Sequence, residues 1–296
     1  MSKNELSKRL KYSLRFLPDK LYCQLYHFSK FKKFINFREP KTFNEKINWL
    51  KLYDRNPIYT IMADKYEVKK YVANIIGEEH IIPTIGIYDK FDEIDFDKLP
   101  NKFVIKCTHD SGSLCVVTDK SKFDKEKAKE KIENAMKYNF YYIGREWQYK
   151  NIKPRIIVEE YICSDKKRSY NDYKFQMMNG KLAFSYVCTD RDIGDLKCTH
   201  YDANKKFVDM YQKGYDSDRK KGKLPKNYDK LLNYAKILSK DFPIMRVDFL
   251  GDKDKIYFGE LTLYENAGFA EFFPLDLDKK FGEMLDISSV KKHEKN

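Results

Sequence analysis

Nowhere in the 296 residues is there an apolar run approaching the roughly 18 uncharged positions of a membrane-spanning helix. The N-terminal MSKNELSKRL lacks the apolar core of a secretory signal, so a cytoplasmic chain is expected. There is no C-x-x-C pair and no histidine at zinc-finger spacing; Cys23, Cys107, Cys115, Cys163, Cys188 and Cys198 stand singly. That excludes a zinc-built or disulfide-stapled scaffold and leaves reduced thiols, most of them buried. Internal repeats and long flexible linkers are missing, and so is the G-x-x-x-x-G-K-[ST] phosphate loop. Disorder is excluded by composition: 42% hydrophobic and 16% aromatic residues give enough apolar surface to offset ordering entropy, although 35% of the chain is charged.

Positive charge is what the chain has in excess. The 58 Lys+Arg against 45 Asp+Glu leave +13, which calls for an anionic partner. Most of it is N-terminal: residues 1–38 hold ten Lys/Arg, two acids (Glu5 and Asp19) and eight interleaved aromatics. Tyr12 and Phe16 fall four apart and Leu21, Leu25 and Phe28 keep helical spacing, so short amphipathic helices are predicted. Such a segment suits an anionic membrane surface or an anionic polymer, and equally a helical cover over the core with its charged face in water.

From Glu39 onward the pattern is mixed. Thr42 to Lys51 opens with a Thr-x-x-Glu capping box, and Asp64 to Ile76 reads as a helix stopped by Gly77. Strands are predicted at 81–88, 103–107, 114–119, 155–162, 173–178, 182–189, 243–250 and 255–264, with helices over 124–140 and 228–240. Antiparallel-type strand runs with separate helices point to α+β layers.

Within MRVDFL and YFGELT, alternation puts Arg246 and Asp248 on one strand face and Glu260 and Thr262 on one face of the next. A hairpin turn at GDKDK, centred near Lys253, would place Glu260 opposite Arg246 and diagonal to Asp248. Two converging carboxylates suit magnesium, which takes oxygen ligands and keeps waters and phosphate oxygens, while Arg246 would face a developing anion. The competing reading is a surface ion pair, worth about 0–1 kcal/mol.

Lys106 ends the strand FVIKC and runs into Thr108-His109-Asp110-Ser111-Gly112-Ser113. There small residues would let backbone N–H groups approach phosphate oxygens beside a fixed cation. His109 reads either as a phosphate donor or as a histidine bonded to backbone. The apolar strand IIVEEYI ends in Glu159-Glu160-Tyr161-Ile162, either solvated ends or acceptors for an adenine amino group with the backbone at Glu160 and Ile162 reading the base edge. Asp172 and Lys174 share a strand face and would serve as ribose acceptor and second phosphate cation.

In chain order these pieces resemble the ATP-grasp superfamily: Asp64-Lys65, Ile82-Pro83, Lys106 with its small-residue loop, the V-E-E-Y-I hinge, D-x-K, then R-x-D and E-x-T. More closely, KTFNEKINWLK (41–51), THDSGS, REWQY (145–149), DYKF, RVDF and FGELT resemble the TupA-like branch, proteins of bacterial surface-polysaccharide and teichuronopeptide synthesis in the cell envelope. The resemblance implies an ATP-grasp fold of two α+β subdomains clasping ATP. It divides the chain into a basic helical segment (1–60), an N-terminal part with the phosphate lid (61–160), a C-terminal part with the metal site (161–287) and a disordered tail (288–296).

The resemblance implies that Lys106 and Lys174 hold the ATP phosphates and that Ser111, Gly112 and Ser113 form the lid. Glu159, Glu160 and Ile162 would line the adenine pocket, with Asp172 near the ribose. Asp248 and Glu260 would bind Mg2+, with Thr262 standing where many relatives have Asn, and Arg246 would stabilise an acyl-phosphate. Arg145, Glu146 and Tyr149 match the branch pattern as acceptor contacts, or form a helix-end ion pair. The implied reaction is carboxylate activation by ATP followed by attack of an amine, joining an amino acid or peptide to a uronic-acid glycan. A sugar kinase or glycosyltransferase using the same nucleotide site, and a non-enzymatic polyanion or membrane binder, are the alternatives; nucleic acid ranks last among the partners. Residues 1–38 would place the chain at the inner face of the membrane.

Overall fold

Phe103, Ile105 and Cys107 alternate with Val104 and Lys106, and the chain uses that period of two as written. In the computed structural model, which describes residues 3–162, 170–189, 196–213, 216–217, 222–251 and 255–290, strand β2 (Phe103–Cys107) turns its three odd residues into a core and Lys106 to the other face. The chain divides into two units. One contains the residues up to Phe16 and Pro57–Ile162; the other contains Leu17–Asn56 and the chain from Cys163 onward.

The first unit is built on a four-stranded antiparallel sheet. With β1 (Thr84–Tyr88), β3 (Cys115–Val117) and β4 (Ile156–Glu160), its order is β1-β4-β2-β3. Helix α6 (Lys125–Met136), capped by Asp124, buries Ala128 and Ile132 against Phe103, Ile105, Val117, Ile156 and Val158. The predicted helix over 124–140 stops at Met136 and resumes only as the single turn α7 (Tyr141–Gly144). Helix α1 (Lys3–Ser13) lies on that turn, with the Tyr12 ring edge-on to Tyr138 and Tyr142. A short helix that the sequence reading missed, α4 (Ile58–Ala63), precedes α5 (Glu67–Ile76). Asp64 opens α5 as its cap: its backbone is extended, its Oδ1 accepts the amides of Tyr66 and Glu67, and its carbonyl accepts the Val68 amide, so the helix proper starts just after it.

In the second unit, β5 (Asn171–Met178) and β6 (Lys181–Thr189) form a hairpin across Asn179-Gly180, both with positive φ as this tight turn demands. The sheet continues through β7 (Lys197–Tyr201) and the short β8 (Phe207–Val208) and β10 (Asp216–Ser217) on one side, while β9 (Tyr211–Gln212) pairs outside it with Phe272–Phe273. On the other side lie β11 (Ile244–Gly251) and β12 (Ile256–Thr262). Helix α8 (Tyr228–Ser239) packs on β5 and β11. N-terminal to all of these, α2 (Asp19–Phe31) and α3 (Phe43–Tyr53) belong to this unit, and α3 carries the predicted Thr42–Glu45 capping box. Helix α9 (Leu277–Met284) packs on α3 at Gly282, where a Cβ would stand 2.1 Å from the Lys41 carbonyl.

The β11–β12 register differs from the expected one. Asp248 faces Glu260 and Arg246 faces Thr262, two residues from the expected pairing: the pairs next to the turn, such as Phe249–Phe258, are already one residue out, and the unpaired Gly259 adds the second. A bulge here moves every pairing beyond it. Of the hairpin turn, residues 252–254 lie outside the described residues, as do residues 291–296 of the tail. Cys23, Cys107, Cys188 and Cys198 are buried and Cys115 half-buried, all as free thiols; Cys163 lies outside the described residues.

Candidate active site

One row of directly paired residues crosses the second unit's sheet: His200 on β7, Tyr186 on β6, Lys174 on β5, Asp248 on β11 and Glu260 on β12. Directly opposed residues share a face, so the row brings a lysine and two carboxylates together. Lys174 bonds Asp248 Oδ2 through its ammonium. One step along the same face, Arg246 donates from Nε to Asp248 Oδ1 (2.7 Å), from Nη2 to Asp248 Oδ2 (2.9 Å) and to Glu260 Oε1 (2.6 Å), and from Nη1 to Glu265 Oε2. Asp172 sits two residues before Lys174 on that face and is buried. Thr262 donates its hydroxyl to Glu260 Oε1 at 3.3 Å.

The electrostatics follow from burial opposed by charge. Desolvation would raise the Asp248 pKa, but Arg246 and Lys174 hold it down at about 2. Desolvation likewise works against charge on Arg246 and Lys174, and the carboxylates beside them, Asp248 first, keep both firmly protonated. Burial raises the Tyr186 phenol well above its usual range and lowers His200 to about 4, so both are neutral where they stack at 4.9 Å.

Among the described residues no three His, Cys, Asp or Glu side chains are gathered as a ready metal cage. The oxygen donors nonetheless suit a hard cation that keeps waters and phosphate oxygens. Asp248 and Glu260 converge on one nitrogen, Arg246 Nη2, so the two carboxylates already share a cation between them.

In the first unit, Lys106 and Glu159 sit diagonally across β2 and β4 on the face away from the α6 core, and Lys106 Nζ lies 2.6 Å from Glu159 Oε2. A second lysine, Lys69 on α5, reaches Glu159 Oε1 at 2.6 Å and also donates to the Ile82 carbonyl (2.6 Å) and Thr84 Oγ1 (2.8 Å). Burial would raise the Glu159 pKa and the two lysines lower it. Glu159 is therefore a buried counter-ion to both cations. Glu160 lies on the opposite face of β4, exposed, with its amide donating to the Pro83 carbonyl at 3.1 Å; Ile162 follows the strand, half-buried.

The loop after β2 divides its residues between inside and outside. Ser113 is buried, its hydroxyl accepting from the Cys107 amide (2.9 Å) and donating to Asp110 Oδ1 (2.6 Å). Lys65 ties down the same loop through the Cys107 carbonyl (2.9 Å) and the Asp110 carbonyl. Ser111 and Gly112 stay exposed, Gly112 at φ +103° with nothing within 4 Å of where a Cβ would be. His109 is buried, its pKa lowered by desolvation against the pull of Asp110 and of the Ala135 and Tyr138 backbone. Those backbone partners favour the reading of His109 as a histidine bonded to backbone. Arg145 is also buried, its guanidinium over Tyr141 and Tyr142 and its Nη2 on the Leu14 carbonyl.

Glu265 and Lys69 were not singled out in the sequence. Glu265 is the only charged residue from Leu261 to Ala270, and a lone acid in an apolar stretch beside a proposed cation was the signal to follow. Its loop has positive φ at Asn266, Ala267 and Gly268, and side chains of α3 hold its carbonyls: Lys51 to Ala267 (2.6 Å), Asn48 to Gly268 (2.7 Å) and Asn44 to Ala270 (2.8 Å).

A search of curated proteins gives no significant match. Among solved structures, the chain is similar to D-alanine–D-alanine ligase from Helicobacter pylori (17% identity, 82% of this chain, 69% of that one, TM-score 0.44). It is similar to the Bacillus anthracis ligase (16%, 75%, 59%, 0.38) and to the ATP-grasp ligase PsnB complexed with Mg and ADP (8%, 71%, 52%, 0.36). The chain thus spans 59% of the length of the Bacillus anthracis ligase. The family model described as TupA-like ATPgrasp matches residues 45–286, from the capping box of α3 through α9 and including Lys106, Glu159, Lys174, Asp248 and Glu260, and the chain belongs to the TupA-like ATP-grasp family.

Proposed function

We propose that this chain is an ATP-dependent carboxylate–amine ligase. Its reaction would join an amino acid or peptide to a uronic-acid-bearing surface glycan through an acyl-phosphate, at the inner face of the membrane. The observation that carries the reading is the convergence of Asp248 and Glu260 on one cationic position beside Lys174 and Arg246, in a member of this family. Asp248 and Glu260, with Thr262 beside them, would hold Mg2+. When bound, that ion neutralises phosphate charge and orients the transferring phosphoryl group.

The chain's own residues supply the rest. Lys106, fixed by Glu159, and Lys174 take the phosphate oxygens; Ser111 and Gly112 offer exposed backbone to them, while Ser113 shapes the loop from within. Glu160 and Ile162 meet the adenine edge, Asp172 the ribose. Arg246 stabilises the acyl-phosphate and the anionic tetrahedral state that forms when the amine attacks. Catalysis here is positioning and charge stabilisation, and needs no nucleophilic Ser or Cys.

The test is ADP release by purified protein given ATP, Mg2+, a uronic-acid oligosaccharide and an amino acid, with mass spectrometry of the product. An amide product lost in Asp248→Asn/Glu260→Gln supports the reading. Undiminished ADP release without both acids overturns the metal assignment, and a phosphorylated sugar without amide makes the enzyme a kinase.

A further inference from the structure

Helix α2 buries one face, with Tyr22, Cys23 and His27 inward and Tyr26 against Phe269 at 4.3 Å between ring centroids. Its outer face is apolar as well. Leu21, Leu25 and Phe28, at i, i+4 and i+7, are 45%, 48% and 41% exposed, and Phe34, 62% exposed just beyond the helix, stacks on Phe28 at 4.7 Å. A helix with a free apolar stripe is incomplete in water.

The charge around the stripe identifies what completes it. From Lys20 to Arg38 there are five Lys/Arg and no Asp or Glu. Asp19, at the helix start, is taken up by Arg55 (3.6 Å), and Lys30 is turned to Glu271 (3.2 Å), which leaves Lys20, Lys32, Lys33 and Arg38 exposed around the apolar line. Apolar side chains along a helix with cations at its borders is the arrangement of a helix lying in the headgroup layer of a bilayer. A second copy of the chain would bring like charges together, and a soluble polyanion would leave Leu21 and Leu25 without a partner. In the other unit the segment from α1 to Phe16 independently repeats the chemistry: Leu6, Leu10 and Phe16 are exposed beside Arg9 and Arg15.

We propose that the Leu21–Leu25–Phe28–Phe34 stripe of α2 docks on an anionic lipid bilayer, with Leu and Phe side chains entering the acyl boundary and Lys20, Lys32, Lys33 and Arg38 meeting the headgroup phosphates. This deepens the membrane clause of the proposed function and does not depend on the chemistry of the ligase. The experiment is co-sedimentation of the full-length protein with vesicles of phosphatidylcholine, with and without phosphatidylglycerol. Binding that requires phosphatidylglycerol, falls with added salt, and drops by about tenfold or more in Leu21→Ser/Leu25→Glu/Phe28→Ser is expected. ATP-analogue binding by the same variant, measured by calorimetry, stays at the wild-type value, which separates this docking from the nucleotide site. The proposal is overturned by equal vesicle binding of variant and wild type, by binding to polygalacturonate but not to vesicles, or by self-association in light scattering that the variant abolishes.

Discussion

Glu265 closes the edge of the Arg246 guanidinium that Asp248 and Glu260 leave open: they take Nε and Nη2, and Glu265 takes Nη1. If Asp248 and Glu260 turn toward a metal, Glu265 is the carboxylate that still holds the arginine. Replacing it makes Arg246 compete harder for the same two acids. Glu265→Gln is therefore expected to weaken Mg2+-dependent binding of a non-hydrolysable ATP analogue by about tenfold in calorimetry, the size of a neighbouring-charge coupling. Unchanged Mg2+ dependence would reduce Glu265 to a packing role.

Lys69 and Lys106 grip the two oxygens of one carboxylate, yet their other partners differ. Lys69 also fastens α5 to the start of β1 through Ile82 and Thr84, whereas Lys106 has only Glu159 among its described partners and is the more exposed. Lys69→Met is expected to cost about 1–3 kcal/mol of stability by leaving buried acceptors unmet, read by denaturant titration. Lys106→Met should cost less stability and reduce ATP-analogue affinity by about tenfold or more. The reverse ranking would exchange their roles.

What the sequence made legible was local. The alternation of β2 placed Lys106 on the open face, the Thr42–Glu45 box located the start of α3, and the D-x-K and R-x-D spacings put each pair on one face. The register of β11 against β12 was not legible, because the pairing next to the turn is one residue off a symmetric hairpin and the unpaired Gly259 adds a second, and nothing in a strand pattern marks either. Lys69 was hidden because a lysine beside Val68 and Val72 reads as a solvated helix flank until β4 supplies Glu159. The attachment of α3 to the loop of Glu265 joins residues over two hundred positions apart, and no local pattern encodes it.

Gly268 tests that attachment. It lies at φ +74°, and a Cβ there would stand 2.8 Å from Asn48 Nδ2 and 2.9 Å from Ile47 Cγ2. Gly268→Ala thus combines a left-handed backbone penalty with displacement of the side chain that holds the Gly268 carbonyl. A loss of about 2–4 kcal/mol is expected in denaturant titration. Gly112→Ala, also at positive φ but with open space around it, should cost only the backbone part, about 1–2 kcal/mol. Equal losses would show that α3 does not constrain the loop.

Acidification tests the charge balance at Asp248. Its pKa is depressed to about 2 in the folded chain, below its unfolded value, so its contribution to stability is complete above the unfolded value and lost as pH falls through the folded one. Between about pH 4 and pH 2 the unfolded chain takes up this proton first, which removes about 2 kcal/mol. Asp248→Asn has no such proton to bind. It is expected to be less stable than wild type near neutrality, since Lys174 and Arg246 then face each other with one fewer anion between them. The gap between the two proteins should close by about 2 kcal/mol over that acid range, read from urea midpoints at each pH. A gap that stays constant would mean that Asp248 ionises alike in the folded and unfolded chains and that the Arg246 and Lys174 contacts contribute nothing to its charge.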